Sequence, residues 1–155
     1  MKIGIIVYSH TGNTYSVAQK LQEKLTAAGH FVEIEKVTVV NDNEMDAGKI
    51  QFRNKPDTDI YDALIFGSPV RGASLSAPMT AYLSQIGILK EKNIFCYVTQ
   101  FFPFPSMGGN RAIQQITKIL ESKNVNVSKT GIVNWSNLRR GKMILDVVEK
   151  AGGMF

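Results

Sequence analysis

The sequence predicts an α/β domain in three layers: a five-stranded parallel sheet in the order 2-1-3-4-5 with helices on both faces. Three observations lead there. Five short apolar runs alternate with segments of helical periodicity, and that alternation builds a parallel sheet. Runs one, three and four are almost continuously apolar, as central strands buried on both faces must be. Runs two and five interleave polar residues, the mark of an edge strand. Two edges and three centres fit the 2-1-3-4-5 order, whose switch point lies between strands one and three.

Strand one is read at Ile3–Tyr8. The helix after it carries Val17, Ala18, Leu21, Leu25 and Ala28 at helical spacing and stops at Gly29. Strand two, Phe31–Val37, alternates Val32 and Ile34 with Glu33 and Glu35. Residues 41–59 are polar and weakly patterned, and read as a long connection with one short helix. Strand three is Tyr61–Phe66 and runs into Gly67-Ser68-Pro69. A helix opening near Pro78 suits the first-turn preference of proline and buries Met79, Tyr82, Leu83 and Ile86. Strand four is Ile94–Thr99, and the helix beyond it buries Ala112, Ile113, Ile116, Ile119 and Leu120. Strand five spans about Val125–Val133, with polar Asn126 and Ser128. A last helix from near Asn137 buries Leu138, Leu145, Val147 and Val148.

At 155 residues the chain holds one domain, 1–155, with a substantial core. The single cysteine, Cys96, excludes an intramolecular disulfide and is compatible with a reducing cytoplasm, the expected compartment. The first strand begins at once, with no apolar leader before it, and no window approaches a membrane span. The net charge of +5 is uneven: residues 1–77 carry 8 Lys/Arg against 9 Asp/Glu, residues 78–155 carry 10 against 4. A basic half is open to an acidic partner, yet Lys118, Lys123, Lys129, Arg139, Arg140 and Lys142 are spread over what read as solvated helix faces and turns. No nucleic-acid motif is present.

In an open α/β sheet, ligands bind beyond the carboxyl ends of the strands, near the switch point. Three loops converge there. Ser9-His10-Thr11-Gly12-Asn13-Thr14 leads into a helix N-terminus, whose free N–H groups and positive dipole end suit a phosphate. It lacks the lysine of a nucleotide-hydrolysing P-loop and the glycine spacing of a dinucleotide fold. It reads either as a holder of one terminal phosphate or as a capping turn. The second loop, 67–76, offers the Ser68 hydroxyl, Gly67 and Gly72 for unusual backbone, and Val70 and Arg71 for a ring edge; Arg71 is equally a solvated surface charge. The third, 100–110, sets Phe101, Phe102 and Phe104 at a strand end, where they stack on a planar ring or close a local cluster. Gly108 and Gly109 there allow close backbone approach. His10 and His30 form no metal pair, and Cys96 reads as a buried, inert thiol.

The run Ile5–Ala18, IIVYSHTGNTYSVA, resembles the phosphate loop of the flavodoxins. The GSPV after strand three and the glycine-containing loop after strand four are similar to the two flavin-enclosing loops of that family, and the likeness extends over the whole chain in its short-chain form. It implies an FMN cofactor. Ser9, His10, Thr11, Gly12, Asn13 and Thr14 would hold its phosphate. Ser68, Pro69, Val70, Arg71 and Gly72, with Gln100, Phe101, Phe102, Gly108 and Gly109, would border the isoalloxazine. The flavin would carry the chemistry, so no catalytic side chain and no metal are expected. Three features depart from the family pattern: Val7 in place of an aromatic, no Trp or Tyr in the ring loops, and a basic rather than acidic charge. The implied role is electron transfer with redox proteins or a small-molecule acceptor. An NAD(P)H-dependent quinone or flavin reductase and a flavin-free interaction module are the alternatives. Neither nucleic acid nor membrane is an expected partner.

Overall fold

The computed structural model describes residues 1–89, 92–127 and 129–155. Its main sheet contains β1 (Lys2–Val7), β2 (Phe31–Lys36), β5 (Ala63–Arg71), β7 (Asn93–Gln100) and β8 (Lys129–Asn134). Between β2 and β5 lie two short strands, β3 (Thr38–Val39) and β4 (Phe52–Asn54); β6 (Ser74–Leu75) turns back on β5. The helices are α1 (Asn13–Ala27), α2 (Ala77–Gln85), α3 (Gly109–Glu121) and α4 (Arg140–Met154). The sheet order is β2-β1-β5-β7-β8 with every pairing parallel, which is the predicted 2-1-3-4-5.

Alternation along the strands divides the core in two. Ile6, Leu64, Phe66, Ile94, Cys96 and Val98 face α2 and α3, against Met79, Tyr82, Leu83, Ala112, Ile116 and Leu120. Ile3, Ile5, Val7, Ala63, Ile65, Phe95, Tyr97 and Val133 face α1 and α4, against Val17, Ala18, Leu21, Leu25, Val147, Val148 and Ala151. Cys96 is buried, and burial pushes its thiol well above the usual range, which suits an inert side chain.

Several boundaries differ from the sequence reading. Residues 41–59 hold one 3₁₀ turn, Ala47–Lys49, but also β4, which pairs antiparallel with β3. Strands of two and three residues are too short for any periodicity. The α4 helix starts at Arg140 rather than near Asn137, because the Asn137 carboxamide accepts from the Arg139 N–H (2.9 Å) and folds those residues into a turn. Leu138 is therefore fully exposed, and Leu145 lies on the solvent side of α4. Ala28 is the exposed C-cap of α1, past its buried stripe. The fifth strand is shorter than expected; Asn126 precedes it, and Ser128 lies outside the described residues.

Two glycines let aromatic rings lie flat on the sheet. A Cβ at Gly4 would overlap the Tyr61 ring, and one at Gly67 would overlap the Tyr97 ring. Neither ring has room to retreat, since Tyr61 is 2% and Tyr97 0% exposed. Gly67→Ala is expected to lower the unfolding free energy by about 1–3 kcal/mol, read by urea denaturation, as overpacking of a tight core does.

Burial, reinforced by the Asp42 carboxylate, pushes the Tyr8 hydroxyl up to about 12. Burial drives Tyr61, Tyr82 and Tyr97 above the usual phenol range as well. The folded state thus favours neutral phenols. Their contribution is complete below the unfolded phenol value of about 10 and is lost as pH rises through the folded values. The urea midpoint is expected to fall steeply above about pH 10, and Tyr8→Phe to remove part of that slope.

Candidate functional site

The carboxyl ends of β1, β5 and β7 lie side by side, and the loops leaving them form one rim. After β1 the chain reverses at Gly12, whose φ of 95° falls in the left-handed region. Ser9 Oγ accepts from the Tyr15 N–H (3.3 Å). Thr14 is the loop's foot: its buried hydroxyl pairs with that of Thr99 (2.7 Å), and its carbonyl accepts from the Tyr97 hydroxyl (2.7 Å). His10, Thr11 and Gly12 are left exposed above it. No acidic residue sits in the first turn of α1, so its N–H dipoles are unopposed.

After β5 the chain makes a tight hairpin with β6, pairing Val70 with Leu75 and Arg71 with Ser74. Gly72 and Ala73 between them both have positive φ, 59° and 58°, as a two-residue hairpin with the right-handed strand twist requires. The hairpin holds Pro69, Val70 and Arg71 at the rim. An Arg71 guanidinium N–H donates to the Asp42 carbonyl, and the Tyr8 hydroxyl donates to the Asp42 carboxylate (2.8 Å). Ser68 points inward: its hydroxyl is paired with that of Ser76 (2.8 Å) and donates to the Pro69 carbonyl (3.0 Å).

After β7 the Phe-rich turn is tied down carbonyl by carbonyl. The Gln100 and Phe101 oxygens accept from the N–H groups of Trp135 (2.7 Å) and Ser136 (3.0 Å). Those of Phe102, Pro103 and Phe104 accept from the side-chain amides of Asn134 (3.1 Å), Asn137 (2.9 Å) and Gln100 (2.7 Å). Phe101, Phe102 and Phe104 nevertheless remain 70%, 53% and 59% exposed.

A cleft of about 380 Å³ opens between these loops, lined by His10, Thr11, Asn13, Pro69, Val70, Arg71, Thr99, Gln100, Phe101 and Trp135. No carboxylate is among them. The volume is within the range of cofactor and ligand sites. Of the residues expected at a cofactor, Ser9 and Gly12 face a smaller hollow of about 150 Å³ on the other side of their loop, with Tyr15, Lys36, Val37 and Thr38. The Lys36 ammonium lies 4.3 Å from the Tyr15 ring centroid. Thr14 and Ser68 are buried supports. Gly72 is at the hairpin tip. Gly108 packs against Val70 and Ala73, and Gly109 against Ile132 and Gln100. Phe102 is exposed outside the cleft wall.

Two wall residues were missed, Thr99 and Trp135. Trp135 is the first residue past β8, and the Arg140 guanidinium lies 4.9 Å from its ring centroid. Its place directly after the last strand was the available signal. Lys36, the last residue of β2, carries the same signal and sets a cation beside a loop that has none of its own.

No family model matches the chain. A flavodoxin from Streptococcus pneumoniae superposes with a TM-score of 0.70 over all of both chains, at 16% identity. Flavodoxin 1 from Bacillus cereus also gives 0.70, at 15% identity over 99% of this chain and 97% of that one. The chain has the flavodoxin-like fold. A flavoprotein from Lactobacillus acidophilus, solved in complex with FMN, gives 0.63 at 18% identity over 92% of this chain and 97% of its own. Among curated proteins, the NAD(P)H quinone oxidoreductase PST1 of Candida albicans is 31% identical over 100 residues, 59% of this chain. The match spans half the length of that relative. In this flavodoxin-like chain, Tyr97→Phe is expected to cost about 0.5–1.5 kcal/mol of stability, the worth of one buried hydrogen bond. The check is chemical unfolding, with hydrogen exchange speeding up in the first turn of α1.

Proposed function

We propose that the chain binds FMN in the switch-point cleft and passes electrons to and from a redox partner. The observation that carries this reading is the composition of one wall against the other. Thr11, Asn13 and the free N–H groups of α1 offer donors with no carboxylate among the lining residues, which suits a phosphate dianion. Phe101 and Trp135 offer flat apolar surface to a ring. The donor set therefore fits FMN. His10, Thr11 and Asn13 would meet the phosphate from the cleft, and Lys36 would add a positive potential from behind the loop. Pro69, Val70, Arg71, Gln100 and Phe101 would border the ring, with Trp135 completing the wall that excludes water.

FMN, when bound, supplies the one- and two-electron chemistry. The chain's own work is to hold it and to set the charge around it. Among the described residues Arg71 is the only formal charge lining the cleft, and a cation there stabilises added negative charge. The Asp42 carbonyl fixes the direction of that guanidinium.

A second reading is an NAD(P)H-dependent quinone reductase, favoured by the partial likeness to the Candida albicans oxidoreductase. Steady NAD(P)H oxidation with a quinone, without any added reductase, would select it over the carrier.

The purified protein is expected to be yellow, or to become so with FMN, and to release FMN on acid precipitation. Apoprotein that ignores FMN at micromolar concentration would overturn the reading. Arg71→Ala is expected to shift the bound flavin's potential to more negative values by on the order of 50 mV, about 1 kcal/mol of lost charge stabilisation. Spectroelectrochemical titration checks it.

A further inference from the structure

Beside the cleft, on the far side of the Phe-rich turn, lies a second groove of about 570 Å³. It is lined by Pro103, Phe104, Ser136, Asn137, Leu138, Arg139 and Met143. Exposed apolar residues usually sit on slack loops, and this turn is the opposite case. Five consecutive carbonyls, Gln100 to Phe104, are each held by a hydrogen bond. Three of them are held by side-chain amides, those of Asn134, Asn137 and Gln100. Phe102, Phe104 and the wholly exposed Leu138 are thus presented to solvent on a braced frame. Binding to such a surface costs little ordering entropy.

The charge around it is predominantly cationic, with exposed Asp146, one turn beyond Met143 on α4, as the exception. Residues 92–145 contain a single acid, Glu121, at the opposite end of α3. The groove's own edge carries Arg139; exposed Lys142 lies one turn on along α4, and exposed Arg140, next in the chain, is turned to the Trp135 carbonyl. An apolar centre with a cationic rim is complementary to an apolar residue ringed by carboxylates.

We propose that this groove docks an acidic electron-transfer protein, which inserts an apolar side chain between Phe104 and Leu138 and places carboxylates on Arg139 and Lys142. The proposal rests on the redox reading above. It adds where the partner sits and what sign of charge it brings. The groove and the cleft share the 101–104 turn as their common wall, so a partner seated there lies one turn from the ring site.

The test is calorimetric titration of the protein, FMN-loaded and FMN-free, with an acidic plant-type [2Fe–2S] ferredoxin and, separately, with basic cytochrome c. Binding to the ferredoxin is expected, falling about tenfold between low and physiological salt, with none to cytochrome c. The pair R139E/K142E is expected to weaken it at least about tenfold. The pair K49E/K118E, with the same net charge but away from the groove, should leave it nearly unchanged. L138S, a change at a fully exposed site, should weaken binding without altering its salt dependence. Absence of ferredoxin binding, equal loss in both charge-reversed pairs, or preference for cytochrome c would overturn the proposal. So would stronger binding of anionic phosphatidylglycerol vesicles through Arg139 and Lys142, or a dimer in sedimentation that L138S dissolves. Ferredoxin binding by a protein that takes up no FMN would sink the redox reading and leave the docking surface standing.

Discussion

The packing of Tyr97 over Gly67 is the contact on which the site depends. The ring lies where any side chain at position 67 would be, inside the tightly packed face under α1 and α4. From there its hydroxyl reaches the Thr14 carbonyl, while the Thr99 hydroxyl, two residues along the same strand, meets that of Thr14. Two bonds from one central strand thus fix the start of α1. The loop above it is closed by Ser9 Oγ accepting from the Tyr15 N–H, which leaves His10, Thr11 and Gly12 exposed at the rim. A rigid anchor under a loop of unspent donors is what a binding site requires, because ordering such a loop at the moment of binding would cost affinity.

The other two loops solve the same problem differently. The β5–β6 hairpin is rigid through its backbone, with two positive-φ residues at the tip and Arg71 oriented by the 42-region. The Phe-rich turn is rigid through side-chain amides lent by the two strand ends beneath it. That arrangement has a cost. Gln100 and Asn134 give their N–H groups to the turn, and the carbonyl oxygens of both amides are left buried with no partner among the described residues. A buried acceptor without a donor is unfavourable, so the exposed posture of Phe101, Phe102 and Phe104 is held against an opposing term. Surface aromatics maintained in this way are hard to explain as leftovers of core packing. They divide two adjoining concavities, one lined by Thr11, Asn13, Arg71 and Trp135, the other by Phe104, Leu138 and Arg139.

Much of the fold was legible because burial on both faces leaves an unmistakable record. The nearly continuous apolar runs Ile3–Tyr8, Tyr61–Phe66 and Ile94–Thr99 identified the central strands, and Glu33 and Glu35 marked an edge. The 38–54 region was not legible, since its two short strands have no period, and the late start of α4 followed from one Asn137 side chain closing a turn. In the candidate site, local chemistry pointed to three loops, and the fold brings them to one rim. It could not say which way a side chain would turn. Ser68 and Thr14 read as donors for a ligand, and the fold uses them as internal ties.

By itself the sequence determined the layers, the strand order and the rim at which the three loops meet, because hydrophobic period, turn residues and chain direction are local properties. Only the tertiary structure decided who shares that rim. Trp135 and Thr99 entered the cleft, Lys36 came up behind the 9–14 loop, and Leu138 was put outside. Each of these depends on which strand ends lie next to one another and on what a neighbouring backbone leaves room for, and those distances are not written in any one stretch of the chain.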